Sequence, residues 1–536
     1  MRLERVKIQN YKCLRNVTVD FSAPAGENGL FSAQFLVGVN GSGKSCFLEA
    51  LGLIFTRAMQ GEVPGFPFDL QYRIHGTRAH VRARPADARS TRPGKLVVSV
   101  TEDGRTEKFD HIPEEYQPRR IVACSSGTNH LMDSVLLSSP RASLASDLYD
   151  LALRGDQESQ DEMSRLLEQY RALDANPRVF SIDDKNAKLV VPALFAVIPG
   201  FQSRGDAQGY FALRESLVER IDRRLIPAAF SLTVDETRLQ QFLEQQGNSP
   251  QYGLLAKLFR RKPAEQGGPL HSWMVRRPLL PGPGEDGGDL ESQAMERMSQ
   301  TAVFCYERWP EDGPEERVWN RRLSEEFDGD PMVLLNVLAA GLRSGILRDI
   351  QFAFRREGSA AMLGLETLSD GELMWLARMG LVLMSRLPRS TETLFLLDEP
   401  DVHFNNEWNM DFVNILRRCS QLPGQDLDHE FVITTHSTLL LTDVYEEQIH
   451  LFSSDERGVR VLTPSISPFA AQQDELSRRL FSAQPVGSYA MERVQAALER
   501  AQTPEDLEEL IRETGPGYQR FRLYEQYFRL KKNREK

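Results

Sequence analysis

The sequence predicts an α/β protein: a mixed sheet with flanking helices, split by a mostly helical insertion and followed by a helical C-terminal tail. Three observations predict it. An apolar strand at Phe35-Leu-Val runs directly into a glycine-rich loop and then a helix. Two further apolar runs, Thr393-Leu-Phe-Leu-Leu and Glu430-Phe-Val-Ile, end in polar residues, as strands buried on both faces of a parallel sheet do. Helical periodicity dominates much of 140–330 and of the tail at 471–536.

The loop reads Gly38-Val-Asn-Gly-Ser-Gly-Lys-Ser45, the spacing of a phosphate-cradling P-loop. Glycines at 38, 41 and 43 let backbone N–H groups close around phosphate, because no Cβ blocks the approach or the left-handed dihedrals. Lys44 adds a point charge and Ser45 a hydroxyl for Mg²⁺. The helix opening at Ser45-Cys-Phe-Leu-Glu-Ala turns its positive end toward the anion. Gly38, Asn40, Gly41, Gly43, Lys44 and Ser45 are therefore the expected nucleotide-binding residues.

The second strand ends in Asp398-Glu-Pro-Asp401, two adjacent carboxylates followed by a turn signal. Asp398 is expected to hold Mg²⁺ together with Ser45, and Glu399 to polarise an attacking water as general base. Read alone, Asp-Glu-Pro also describes a simple turn. The third strand runs into Thr434-Thr-His-Ser437, which puts His436 just past its end as a γ-phosphate sensor.

A fourth motif, Leu368-Ser-Asp-Gly-Glu372, precedes the apolar helical stripe Leu373 to Met384 and stands about 30 residues before the carboxylates. Ser369 and the amides around Gly371 make a second anion-binding helix start; Ser-Asp-Gly-Glu is equally a good N-cap for any helix. The motif and its placement resemble the signature loop of ABC ATPases, with Asp370 and Glu372 departing from the transporter form. The opening, Met1-Arg-Leu-Glu-Arg-Val-Lys-Ile-Gln-Asn-Tyr-Lys-Cys-Leu-Arg, is similar to the first strand and turn of RecF, SMC and OLD-type ATPases. So are Asp398-Glu-Pro-Asp-Val-His and Thr434-Thr-His-Ser437. Ser125-Ser-Gly-Thr-Asn129 resembles a turn of ATPases from bacterial defence islands, such as PtuA of Septu and retron systems and the restriction-system-associated ATPases. The resemblance implies an ABC ATPase head that uses ATP and Mg²⁺. It also implies that Ser369 and Gly371 reach the γ-phosphate held by a second protomer, hence a head-to-head dimer or a higher even-numbered oligomer.

Composition bounds the alternatives. With 41% hydrophobic and 26% charged residues the chain is ordinary for a globular protein. No run approaches the 18 or so apolar residues of a spanning helix, which argues against the transporter branch. The N-terminus does not read as a signal peptide, and five widely spaced cysteines match neither a disulfide framework nor a zinc site. A cytoplasmic protein with no membrane partner is expected. Net charge of −11 disfavours nucleic acid binding over the whole surface. Locally, 72–95 carries Arg73, Arg78, Arg82, Arg84, Arg89, Arg92 and Lys95 against Asp87 alone. That run is either a solvated face or a phosphate-backbone strip for nucleic acid.

The expected organisation is a first ATPase lobe with a β-rich flank at 1–139, an insertion at 140–330, a second lobe at 331–470 and a helical tail at 471–536. Helical stretches include 147–153, 163–170, 213–224, 239–245 and 291–298, with no sustained heptad, and 262–289 reads as a Gly/Pro-rich link. In the tail, Phe521, Tyr524 and Phe528 share one helical face, expected to dock on a core, the alternative being stacking on bases. OLD-family nucleases carry a Toprim domain marked by Glu-Gly-x-x-Asp and Asp-x-Asp; neither pattern follows Ser437. The leading expectation is an ATPase that senses or regulates in anti-phage defence, with a nuclease, reverse transcriptase or toxin supplied as a separate chain. The alternatives are a RecF-like clamp on DNA and an ATP-dependent scaffold with little turnover.

Overall fold

Strands β3 (Ser32–Val37), β15 (Thr393–Asp398) and β16 (His429–Thr435), the three apolar runs of the sequence, lie side by side in one sheet. This is seen in a computed structural model that describes residues 1–21, 32–87, 92–102, 104–125, 179–182, 187–196, 204–235, 270–276, 301–308, 329–343, 345–356, 362–386, 392–420, 429–456, 458–464, 466–481 and 487–534. The chain divides into two units, Met1–Phe469 and Ala470–Lys536.

The central sheet of the first unit has seven strands in the order β18-β17-β3-β16-β15-β8-β9, adding β8 (Arg120–Ser125), β9 (Val179–Ile182), β17 (Ile449–Asp455) and β18 (Gly458–Leu462). All its pairings are parallel except that of the edge strand β18 with β17. Every residue of β3 and β16 is buried, as a strand covered on both faces requires. Phe395 and Phe431 stack across neighbouring strands at 4.5 Å between ring centroids.

Helix α1 (Lys44–Ala58) follows the glycine loop and lies between this sheet and a second one, touching β15 and β16 as well as β1 (Arg2–Tyr11). The second sheet is antiparallel, in the order β2-β1-β4-β5-β6-β7, with β2 (Leu14–Asp20), β4 (Phe68–Ile74), β5 (Thr77–Pro85), β6 (Pro93–Glu102) and β7 (Arg105–Phe109). Its strands alternate: Val81 and Ala83 point into the core while Arg84 is exposed. The basic run is thus the outer face of a sheet. Within it Arg73 and Arg78 both ion-pair with Glu4, at 3.0 and 2.6 Å; Arg89 lies outside the described residues.

A third sheet, in the order β11-β12-β10-β13-β14, joins β10 (Leu225–Asp235), β11 (Leu270–Arg276) and β12 (Thr301–Arg308) to β13 (Leu347–Arg356) and β14 (Met362–Gly364). The insertion therefore supplies strands as well as α2 (Val190–Ala196) and α3 (Arg204–Glu219). Strand β11 falls inside the segment read from sequence as a link, a correction with a physical cause. Leu270 to Arg276 is a short run of mixed polarity, with Trp273-Met-Val275 at its centre, and its order comes from pairing with a distant strand. The helix expected at 213–224 begins earlier, at Arg204, and ends at Glu219. The helical stretches expected at 147–153, 163–170, 239–245 and 291–298 lie outside the described residues.

Among the described residues this unit also has the α-helices α4 (Pro331–Arg343), α5 (Asp370–Met384), α6 (Asn406–Ser420) and the short α7 (Thr438–Leu441). Helix α5, buried from Met374 to Met384, packs on α2, α3 and α6. The second unit contains α8 (Gln473–Phe481), α9 (Ser488–Arg500), α10 (Glu505–Glu513) and α11 (Tyr518–Arg534). A small core of Val494, Leu507, Ile511 and Leu523 joins the last three. Here the docking expectation for the aromatic face is overturned. Phe521 and Phe528 are 63% and 59% exposed, because Leu523, with Tyr527 and Leu530, is the side of α11 that faces the core.

Candidate functional site

Parallel pairing brings the motifs together at the C-terminal ends of the central strands. Asp398 stands opposite Thr434 on β16 and Ser125 on β8, and Val37, at the mouth of the glycine loop, stands opposite Thr435. The loop then turns through Gly38, Gly41 and Gly43, all at positive φ. At Gly38 a Cβ would lie 2.2 Å from the carbonyl oxygen of Phe452, so only glycine fits.

Lys44 opens α1 and is 5% exposed; its Nζ donates to the carbonyls of Gly38 and Val39 at 2.9 and 3.2 Å. The same Nζ lies 2.9 Å from His436 Nε2, and that nitrogen lies 3.0 Å from Glu399 Oε1. One ring nitrogen cannot accept from the lysine and donate to the glutamate at once, so whether Nε2 carries a hydrogen selects its partner. Burial lowers the Lys44 pKa, against the opposing pull of Glu399 and Asp398. The Glu399 carboxyl is held below its ordinary range, chiefly by the His436 hydrogen bond, and is therefore ionised and able to accept a proton.

Asp398 accepts from Ser45 Oγ at 2.9 Å and from Thr434 Oγ1 at 2.7 Å. Burial raises its pKa, with those two hydrogen bonds opposing. A half-buried carboxylate beside a serine hydroxyl is an oxygen donor set that suits Mg²⁺, and a divalent cation there would offset the cost of the partly desolvated charge. Among the described residues no group of three or more His, Cys, Asp or Glu side chains could hold a metal alone. Mg²⁺ carried largely by phosphate oxygens needs no such cage. Ser45 and Asp398 are the residues that would hold it.

Ser369 and Gly371 are not brought to this cluster. Ser369 is the N-cap of α5: its Oγ accepts from the Glu372 amide at 3.3 Å, while its own amide donates to Glu372 Oε2 at 2.7 Å. No hydrogen bond joins Ser369 or Gly371 to the P-loop of the same chain among the described residues. Gly371 instead abuts the turn after the carboxylates, where a Cβ would sit 2.5 Å from the His403 carbonyl oxygen.

That turn is held in ways the sequence reading missed. Glu399 and His403 are in the left-handed region, at φ 47 and 77, a conformation that persists only when its surroundings impose it. Thr434 supplies one restraint, its Oγ1 accepting from the Glu399 amide at 2.9 Å. Thr435 supplies another, donating to Asp401 at 2.9 Å. Arg378, 2% exposed on α5, donates from Nη1 to the carbonyls of Pro400 and, at 3.2 Å, Val402, and stacks on Phe404. A lone arginine in the stripe Leu373 to Met384 was the available signal.

A glycine loop bearing a buried lysine, beside a strand-end Asp-Glu pair and a histidine just past the next strand, is the arrangement of a nucleotide-handling ATPase head. Residues 1–171 match a family described as "AAA ATPase domain", and residues 198–442 match one described as "AAA domain, putative AbiEii toxin, Type IV TA system". Both matched stretches are thus similar to AAA-type ATPase domains, the second to one described with a toxin–antitoxin system. No curated protein matches the chain. Among the described residues no helix is long and apolar enough to cross a membrane.

Proposed function

We propose that this protein binds and hydrolyses ATP with Mg²⁺ as a head-to-head dimer and uses the cycle to regulate a toxic effector in bacterial defence. One observation carries the reading: Lys44, Ser45, Asp398, Glu399 and His436 converge at the C-terminal ends of central strands, while no hydrogen bond joins Ser369 to its own P-loop among the described residues. In the closed dimer Ser369 and Gly371 face the γ-phosphate of the partner, His436 senses that phosphate and Glu399 polarises water.

The defence role is supported by the sequence resemblance and by the description of the family matched over 198–442. The effector, a nuclease, reverse transcriptase or toxin, is a separate chain that docks on the insertion or the tail. The basic outer face of the antiparallel sheet is where nucleic acid would bind if it takes part. Mixing Lys44→Ala protomers with Ser369→Arg protomers tests the shared site. In a mixed dimer one composite site holds both lesions and the other neither, so activity should return to the mixture. A strictly monomeric active enzyme would refute the dimer. Robust cleavage of plasmid, single-stranded DNA or transfer RNA by the isolated chain, surviving a contaminant control, would refute the separate effector.

A further inference from the structure

The two-residue turn between β1 and β2 is fastened to the start of the P-loop helix. Lys12 ion-pairs with Glu49, a 3% exposed carboxylate on α1, and Tyr11 donates to the same Glu49 at 3.2 Å. Next to this clasp, the exposed thiol of Cys13 hydrogen-bonds with the half-buried thiol of Cys46, one residue beyond Ser45. Cys13 Sγ also lies 3.3 Å from where a Cβ on Gly43 would be. Two sulfurs in contact, one reachable from solvent, therefore flank the phosphate cradle. Cys124 and Cys419 are buried by comparison.

We propose that Cys13 and Cys46 are an oxidisable thiol pair whose disulfide gives a redox input to the nucleotide site. The oxidant is a hydroperoxide. Cys13 sulfur attacks the O–O bond, forms a sulfenic acid and releases water from hydrogen peroxide. Cys46 sulfur then attacks Cys13 sulfur, the S–O bond breaks, and the departing hydroxide leaves as water with the thiol proton. Two thiols lose two electrons and two protons; one peroxide becomes two waters.

Closing the bond brings the sulfurs from hydrogen-bond contact to about 2.05 Å, which requires the turn or the first turn of α1 to move. Lys44 and Ser45 immediately precede Cys46, so their grip on phosphate weakens. Glu49 and Lys12 keep the turn in register, which makes an intramolecular bond the favoured product over a mixed disulfide.

The inference rests on the nucleotide-binding reading of Gly38 to Ser45, and the test separates the two. The full chain is treated with hydrogen peroxide, blocked, digested without reductant and mapped by mass spectrometry, alongside Cys13→Ser and Cys46→Ser. A cross-linked peptide pair joining 13 and 46 is expected in the wild type only. ATP affinity measured by calorimetry should fall at least several-fold on oxidation, recover with dithiothreitol, and stay constant in both serine variants. Absence of the 13–46 cross-link overturns the proposal, as does a cross-link that leaves affinity unchanged. If the reduced wild type binds no ATP, the P-loop reading itself has failed, and the peptide map shows that case separately.

Discussion

Replacing Arg378 by methionine removes a guanidinium while keeping much of the side chain's volume. In the folded protein that group donates to the Pro400 and Val402 carbonyls and covers the ring of Phe404. Hydrogen bonds to a charged group contribute about 1.5–3 kcal/mol each. Two of them, less the relief of no longer burying a charge, give an expected loss of roughly 2–4 kcal/mol. The larger consequence is local. Without those bonds the turn that holds Glu399 and His403 at positive φ relaxes toward ordinary backbone, and the Glu399 carboxylate moves off its line to His436. Hydrolysis should therefore fall by about 10- to 100-fold, as misplacement of a catalytic group by an ångström does. Nucleotide affinity, which the proposed function assigns to Lys44 and Ser45, should change little. Denaturant melts, ATP calorimetry and steady-state turnover measure the three quantities on one preparation, and Arg378→Lys, which keeps the charge, should fall between. A folded Arg378→Met protein with wild-type turnover would refute the reasoning, and so would one whose ATP affinity drops in step with its rate.

Lys44→Ala should weaken ATP binding at least 100-fold, since it removes charge-assisted contacts contributing about 1.5–3 kcal/mol each; calorimetry checks it. Glu399→Gln should keep ATP affinity and lose about 10² to 10⁴ in turnover, the usual cost of a missing general base, and so should accumulate the ATP-bound dimer on a sizing column. Gly371→Ala puts a methyl 2.5 Å from the His403 carbonyl oxygen and should cost about 1–3 kcal/mol in a denaturant melt. At the start of β16, burial raises Glu430 from 4.5 to about 7 and lowers His429 from 6.5 to about 3. The Glu430 contribution is fully present below pH 4.5 and is lost as pH rises through 7, whereas that of His429 is present above 6.5 and is lost as pH falls toward 3. The two slopes oppose each other between pH 4.5 and 6.5. Glu430→Gln removes only the first, so variant minus wild-type stability should grow by about 1.4 kcal/mol per pH unit across the Glu430 window.

The grouping of the candidate site's residues was readable because they sit in short motifs at strand ends. Lys44, Asp398 and Glu399 carry their meaning within a few residues of spacing, and parallel pairing does the rest. What holds those residues in place was not readable. Thr434 acts on Asp398 from the next strand, and Arg378 acts on Pro400 from a helix, so neither role exists until the chain is folded. Strand β11 was hidden for a related reason: a short run of mixed polarity between prolines and glycines becomes a strand only when a partner covers its edge. On α11 the period of the aromatic residues was read correctly but its direction was not. Leu523 and the Phe521–Phe528 row compete for one small core, and periodicity alone does not rank them.

The position of β3 has a consequence for how the protein is made. Both of its neighbours, β16 and β17, begin at or after residue 429, although β3 itself ends at Val37. A ribosome adding about 5–20 residues per second therefore leaves Phe35, Leu36 and Val37 without a strand on either side for roughly 20–80 seconds. Throughout that interval the nascent chain carries its glycine loop on an unpaired apolar edge, the form in which polypeptides are most prone to wrong associations. Asp398 too is synthesised late, so a truncated translation product has a phosphate loop with no carboxylate opposite it. The order of synthesis thus makes the nucleotide site one of the last things to assemble, and places the longest demand for chaperone protection on the very strand that feeds it.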